Sequence, residues 1–136
     1  MTLSRIATTF SLIGAAFILY VGIGYVITPE TMATGFGLPA QPEGEAVAFL
    51  NLKGVRDIVT GLIILALLAI KQRYTLGIAT LVIALIPFGD MLTVLRWDGS
   101  AGAAFGIHGL TAAFVALTGA LLIREHSDSA AHARVS

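Results

Sequence analysis

Four long apolar runs divide this chain, and three of them carry ionisable residues in their interior. The second run holds Lys53, Arg56 and Asp57, the third Asp90, and the fourth His108. As helices, runs of about twenty apolar residues match the hydrocarbon thickness of a bilayer. Lipid penalises buried charge, so ionisable residues inside such helices are rare, face the bundle interior and often mark a function. The pattern restricts the fold to a helical membrane bundle and points to where its chemistry would lie.

Composition supports the same class. Apolar residues make up 57% of the chain and charged residues 12%, with a mean hydropathy of +0.90. An ordinary soluble domain carries about 25% charged residues. A soluble core built from 136 residues cannot hide this much apolar surface, whereas a lipid bilayer can. The formal net charge is zero, so there is no basic surface for phosphates, which argues against nucleic acid as a partner. The absence of cysteine excludes disulfides, thiolate catalysis and Cys-type metal sites. His108, His126 and His132 show no metal-ligand spacing, and no glycine-rich phosphate loop follows a strand. No metal site or cofactor-binding motif is therefore expected, and the sequence names no cofactor.

The first apolar run covers residues 7–27 and stops at Thr28-Pro29-Glu30. It is longer than the core of a signal peptide, which predicts a retained helix. Residues 28–45 form the long connection, with Pro29, Pro39 and Pro42, Gly35 and Gly37, and the acids Glu30, Glu43 and Glu45. The stretch Gly35-Phe36-Gly37-Leu38-Pro39 reads as turn-rich. Further helices are predicted over residues 46–70, 74–95 and 102–123. Lys71-Gln72-Arg73 and Trp97-Asp98-Gly99-Ser100 are the tight turns between them. From Arg124 onward the chain is polar and is expected to be a frayed or disordered tail. The expected fold is all-α: an integral membrane four-helix bundle, multi-pass in the cell membrane. Arg5, Lys71, Arg73, Arg124 and Arg134 fall on one side, and the acidic loop has neither Lys nor Arg. The positive-inside rule then places both termini in the cytoplasm, with Arg96 as the exception.

Orientation and helical rise together define a polar level. Counted from the cytoplasmic ends, Asp57, Arg56, Asp90 and His108 lie at roughly 20 to 24 Å, at 1.5 Å per residue. That depth is in the outer half of a core about 30 Å thick. Tyr20 and Tyr25 bracket it on the first helix. Lys53 and Asp57 are four residues apart and share a face. Arg56 points about 100° away from Asp57. Pro87 predicts a kink just before Asp90. Gly102, Gly106, Gly109 and Ala113 form a small-residue stripe suited to close helix approach, within the bundle or in a homo-oligomer. The candidate ligand-binding set is Lys53, Arg56, Asp57, Asp90, His108 and Tyr25, with Asp57, Asp90 and His108 as candidates for acid–base catalysis. The structural alternative is an ion-pair network, in which two cations and two carboxylates balance.

Three elements occur in order: Lys53-Gly54-Val55-Arg56-Asp57, then Pro87-Phe88-Gly89-Asp90, then Gly106-Ile107-His108-Gly109. In this the chain resembles a family of small four-helix membrane proteins catalogued only as a domain of unknown function. The resemblance covers most of the chain. It implies that Lys53, Arg56, Asp57, Asp90 and His108 are the positions to carry over, and it brings no established activity. Size and topology are also similar to small membrane proteins related to the DoxX quinone-oxidoreductase subunit, an analogy at the level of fold.

The leading expectation is a membrane protein whose outer-half pocket binds a small or lipid-like molecule. Here Asp57 and Asp90 would be acceptors or bases, Lys53 and Arg56 anion or carbonyl anchors, and His108 a proton shuttle. The alternatives are a membrane-embedded enzyme (isomerase, cyclase or redox subunit), a small proton-coupled transporter that dimerises, and an accessory subunit in which the charges only hold helices together.

Overall fold

The computed structural model describes residues 2–133, with side chains through residue 127. Among the described residues all regular structure is helical. Helix α1 spans Leu3–Ile27 and opens on a Thr2 side chain that accepts from the Arg5 amide. A short helix, α2 (Pro29–Thr34), follows with proline at its first position, where the missing N–H costs nothing. A single 3₁₀ turn over Gly44–Ala46 leads into α3 (Val47–Ala69). Then come α4 (Arg73–Ile83) and α5 (Leu85–Arg96), a short helical turn α6 (Ala101–Ala103), a π-helical segment over Ala104–Gly109, and α7 (Leu110–Ala133).

Both tight turns close in the same way. Lys71 and Asp98 take the left-handed conformation, with φ of 59° and 52°. The next amide in each case, of Gln72 or Gly99, reaches back to the carbonyl of Leu67 or Val94. This six-to-one bond satisfies a carbonyl that the helix end would otherwise leave open.

Besides α2, which lies in the expected connection, three elements differ from the sequence expectation. The third apolar run is broken at Ala84, three residues before Pro87, because proline has no N–H to offer the Ile83 carbonyl one turn back. The fourth run contains a π turn around His108, which apolar periodicity does not reveal. The last helix continues to Ala133, past Arg124 where a polar tail was expected. At that end Arg73 holds three helices together. Its guanidinium donates to Glu125 on α7 at 2.8 Å, to Thr8 Oγ1 on α1 at 3.1 Å and to the Ser4 carbonyl at 3.3 Å. Tyr74 and His126 stack beside it, with ring centroids 5.0 Å apart.

Packing organises the helices into two pairs. Where α1 crosses α3, a Cβ on Gly22 would sit 2.8 Å from the Gly54 carbonyl, and one on Gly54 2.7 Å from the Gly22 carbonyl. Where α4 crosses α7, a Cβ on Gly77 would lie 3.1 Å from the Gly119 carbonyl, and one on Gly119 2.9 Å from the Gly77 carbonyl. Backbone rests on backbone at both crossings. The stripe in the fourth apolar run plays a smaller part: Gly109 abuts Met91, but a Cβ on Gly106 would meet nothing within 4 Å.

The two pairs meet at the basic end of the bundle. There Ala7, Ala15, Ile64, Leu76 and Leu122 form the buried core, and Phe10 packs on Phe114 with centroids 5.1 Å apart. Toward the loop end they diverge. Among the described residues α1 makes no close backbone approach to α5 or to the π segment.

The outward surfaces are greasy. Leu3–Ile27, Arg73–Arg96 and Ala101–Ser127 are each long and apolar enough to cross a membrane, yet only 22%, 17% and 22% of their most apolar windows is buried in the protein. Ile27, Phe49, Val82, Leu85 and Leu110 are all more than half exposed. Such a surface needs an apolar solvent, and the chain is a helical membrane protein.

The glycine crossing predicts its own test. Gly54→Val should splay α1 from α3 and lower stability in detergent by about 1–3 kcal/mol, the usual cost of overpacking. Gly106→Ala, which meets open space, should leave the thermal midpoint unchanged.

Candidate functional site

Divergence of the two helix pairs leaves a cleft of about 740 Å3 between them. Its walls are mostly apolar, including Phe10, Phe17, Ile64, Ile83 and Phe114. Charged and imidazole groups gather at the loop end: Lys53 and Asp57 from α3, Asp90 from α5 and His108 from the π segment, with Tyr25 from α1.

Helical spacing sets the first pair. Lys53 and Asp57 stand one turn apart, and Lys53 Nζ lies 2.6 Å from Asp57 Oδ2. The Asp57 carboxylate is almost fully buried. The ammonium also lies 4.8 Å from the centre of the Tyr25 ring and 5.8 Å from that of Phe36. Ring faces are electron-rich, so both contacts stabilise the cation where water is scarce. Next to this pair, Asn51 donates to the carbonyls of Tyr25 at 3.0 Å and Val26 at 3.4 Å, pinning the loop end of α1 to α3.

The second pair comes from the opposite wall. His108 Nδ1 lies 4.0 Å from Asp90 Oδ2. On its other side His108 Nε2 is 2.8 Å from the Phe36 carbonyl. A carbonyl can only accept, so Nε2 carries the proton in that bond. Asp90 and His108 thus line the same cleft as the Lys53–Asp57 pair.

The loop after α1 closes the cleft from above. The Phe36 ring lies 4.5 Å from the His108 ring, centroid to centroid, and Tyr25 Oη donates to the Met32 carbonyl at 3.4 Å. A latch holds the loop in place: the Ser100 amide donates to the Gly37 carbonyl at 2.8 Å. Gly37 has a φ of 100°, and a Cβ there would strike Ala103 Cβ at 2.5 Å. Only glycine fits this position.

Lys53, Asp57, Asp90, His108 and Tyr25 are thus brought together, as the polar level implied. Arg56 is not with them. It is exposed and lies outside the cleft lining. The balance of two cations and two carboxylates therefore does not hold inside the cleft, where one lysine and one histidine face two aspartates. Tyr20 borders the opening and is 68% exposed.

Sequence reading passed over three contributors. Phe36 lies in a loop with no periodicity to assign it a face. Gly37 becomes necessary through its positive φ and a contact with Ala103, 66 positions later. Thr80 has the only buried side-chain oxygen or nitrogen without a hydrogen-bond partner among the described residues, and it lines the cleft. Ser11, Thr60, Thr111 and Thr118, which also line it, each donate to the carbonyl four residues back.

Two outcomes follow. Gly37→Ala should unlatch the loop, seen as faster hydrogen exchange across residues 31–42 with the exchange of α4 and α7 unaltered. Lys53→Met should destabilise by about 3 kcal/mol or more, because it strands the buried Asp57 carboxylate. Adding Asp57→Leu should recover most of that loss in thermal denaturation.

A search of curated proteins and a search of solved structures each gave no match. A family model described as a domain of unknown function (DUF4267) matches residues 15–122, a span that takes in every charged group of the cleft together with the loop and its latch. The chain belongs to the DUF4267 family.

Proposed function

We propose that this protein is a four-span membrane protein, with both termini cytoplasmic, whose cleft binds a small or lipid-like molecule with a polar head. Support for a fourth span comes from α3. Its 23 residues reach about 34 Å at 1.5 Å per residue, enough for a bilayer core. Lys53, Arg56 and Asp57 lower its hydropathy, but Lys53 and Asp57 neutralise each other in the interior. The remaining cation, Arg56, has a stem long enough to reach toward the headgroups.

The observation that carries the ligand reading is the combination of shape and chemistry in the cleft. Small-molecule sites occupy about 300–1,000 Å3, with apolar walls and a few converging polar groups. This cleft has that volume, that lining and one polar end. The unpartnered Thr80 hydroxyl adds to the case, since a buried donor left open costs about 1–3 kcal/mol. An ion-pair network serving packing alone would leave neither such a space nor such a group. Acid–base catalysis is the second reading, favoured by the facing Asp90 and His108.

Native mass spectrometry of the protein purified in mild detergent tests the proposal. A small molecule should co-purify with the wild type and be lost from Gly106→Phe. Gly106 lines the cleft and a Cβ there meets nothing within 4 Å, which leaves room for a ring to occupy part of the cleft. A wild type that carries nothing, or a Gly106→Phe variant that keeps its ligand, would refute the reading.

A further inference from the structure

Asp90 is a carboxylate with no donor. Its Oδ2 lies 4.0 Å from His108 Nδ1, and among the described residues no group donates a hydrogen bond to it. The neighbour does not help in its neutral form. Because His108 Nε2 gives its proton to the Phe36 carbonyl, Nδ1 presents a lone pair. Two acceptors therefore face each other across a gap at the head of the cleft. Among the described residues that line the cleft, Lys53 is the one lysine or arginine, and Asp57 holds it at 2.6 Å.

An incoming group that fills the gap must supply hydrogen. A hydroxyl or an ammonium does so, giving the partly exposed Asp90 carboxylate a donor. A carboxylate or phosphate head would meet an acceptor on each side, and would have to draw Lys53 away from Asp57.

The rest of the molecule fits in one direction. From Tyr25 to Phe10 the cleft follows α1 for roughly 22 Å at 1.5 Å per residue, and its walls along that path are mainly hydrocarbon. Its side is open where α1 and the π segment diverge, between Phe17 and Tyr20 on one lip and Ile107 and Leu110 on the other. All four of these lip residues are 45% or more exposed. An occupant can enter sideways from the apolar phase, with its chain already in it.

We infer that the cleft selects single-chain amphiphiles with a hydrogen-bond-donating head, an alcohol or an amine, that donates to the Asp90 carboxylate beside His108, with the chain running toward Phe10. This rests on the reading of the cleft as a ligand site.

The test holds the chain constant and changes the head. The full-length protein in a neutral detergent is titrated with 1-tetradecylamine, 1-tetradecanol and myristate, and bound fractions are read by native mass spectrometry. The amine and the alcohol should each bind at least about tenfold more tightly than myristate, since a site built around acceptors discriminates strongly against a head with no proton to give. In Asp90→Asn the preference should collapse. Myristate binding as tightly as either of the others overturns the inference and leaves the cleft as a ligand site of another class. No binding by any probe, with a co-purified species still present on the wild type, also overturns the inference alone. No binding and no co-purified species removes the ligand reading with it. If Asp90→Asn does not fold, the ranking in the wild type decides.

Discussion

Two glycine crossings determine the shape of this molecule. At Gly22 with Gly54, and again at Gly77 with Gly119, helices approach until backbone meets backbone. In lipid the hydrophobic effect does not drive helices together, so close van der Waals packing has to do so. Each crossing fixes one pair of helices. Neither ties one pair to the other, and the pairs are joined chiefly at the basic end by the apolar core and by the Arg73 contacts. The cleft is the space left where the pairs diverge. It is walled by both and closed at the loop end by Phe36.

The same apolar setting accounts for how the polar groups are arranged. A charge placed there needs a partner nearby, and a helix supplies one most cheaply a turn away, as with Lys53 and Asp57. Aromatic faces from Tyr25 and Phe36 add to this without introducing more charge. Asp90 and His108 are treated differently. They come from separate elements, they face the open cleft, and the contact between them is long. One wall holds a closed pair and the other an open one, and the open one is where a ligand's hydrogen would be received. The π segment contributes here, since the extra residue in its turn re-aims the side chains around His108, and such segments recur at functional sites.

Much of this was legible in the chain. The apolar runs gave the helical class, because spanning a bilayer requires internally satisfied backbone and a helix of fixed length. The shared depth of Asp57, Asp90 and His108 followed from counting at constant rise, and these residues do converge on one cleft. Arg56 shows the limit of that method. Depth is a one-dimensional quantity, and Arg56 sits at the same depth as Asp57 but on the exposed side of α3. The small residues of the fourth run show it again: the spacing suited close approach, yet Gly106 borders the cleft and the tight contacts fall to glycines elsewhere.

By itself the sequence determined the apolar solvent this protein requires and its helical class, and counting along the helices grouped Asp57, Asp90 and His108. These depend on hydropathy, length and rise, which are local properties of the chain. Tertiary structure alone decided which faces meet, that Phe36 and Gly37 close the cleft, that Arg56 is left outside it, and that Asp90 faces His108 without a donor. Each of these depends on the rotation of one helix against another, or on a contact between residues far apart in the chain, and the relative angle of two packed elements is set only when their surfaces meet.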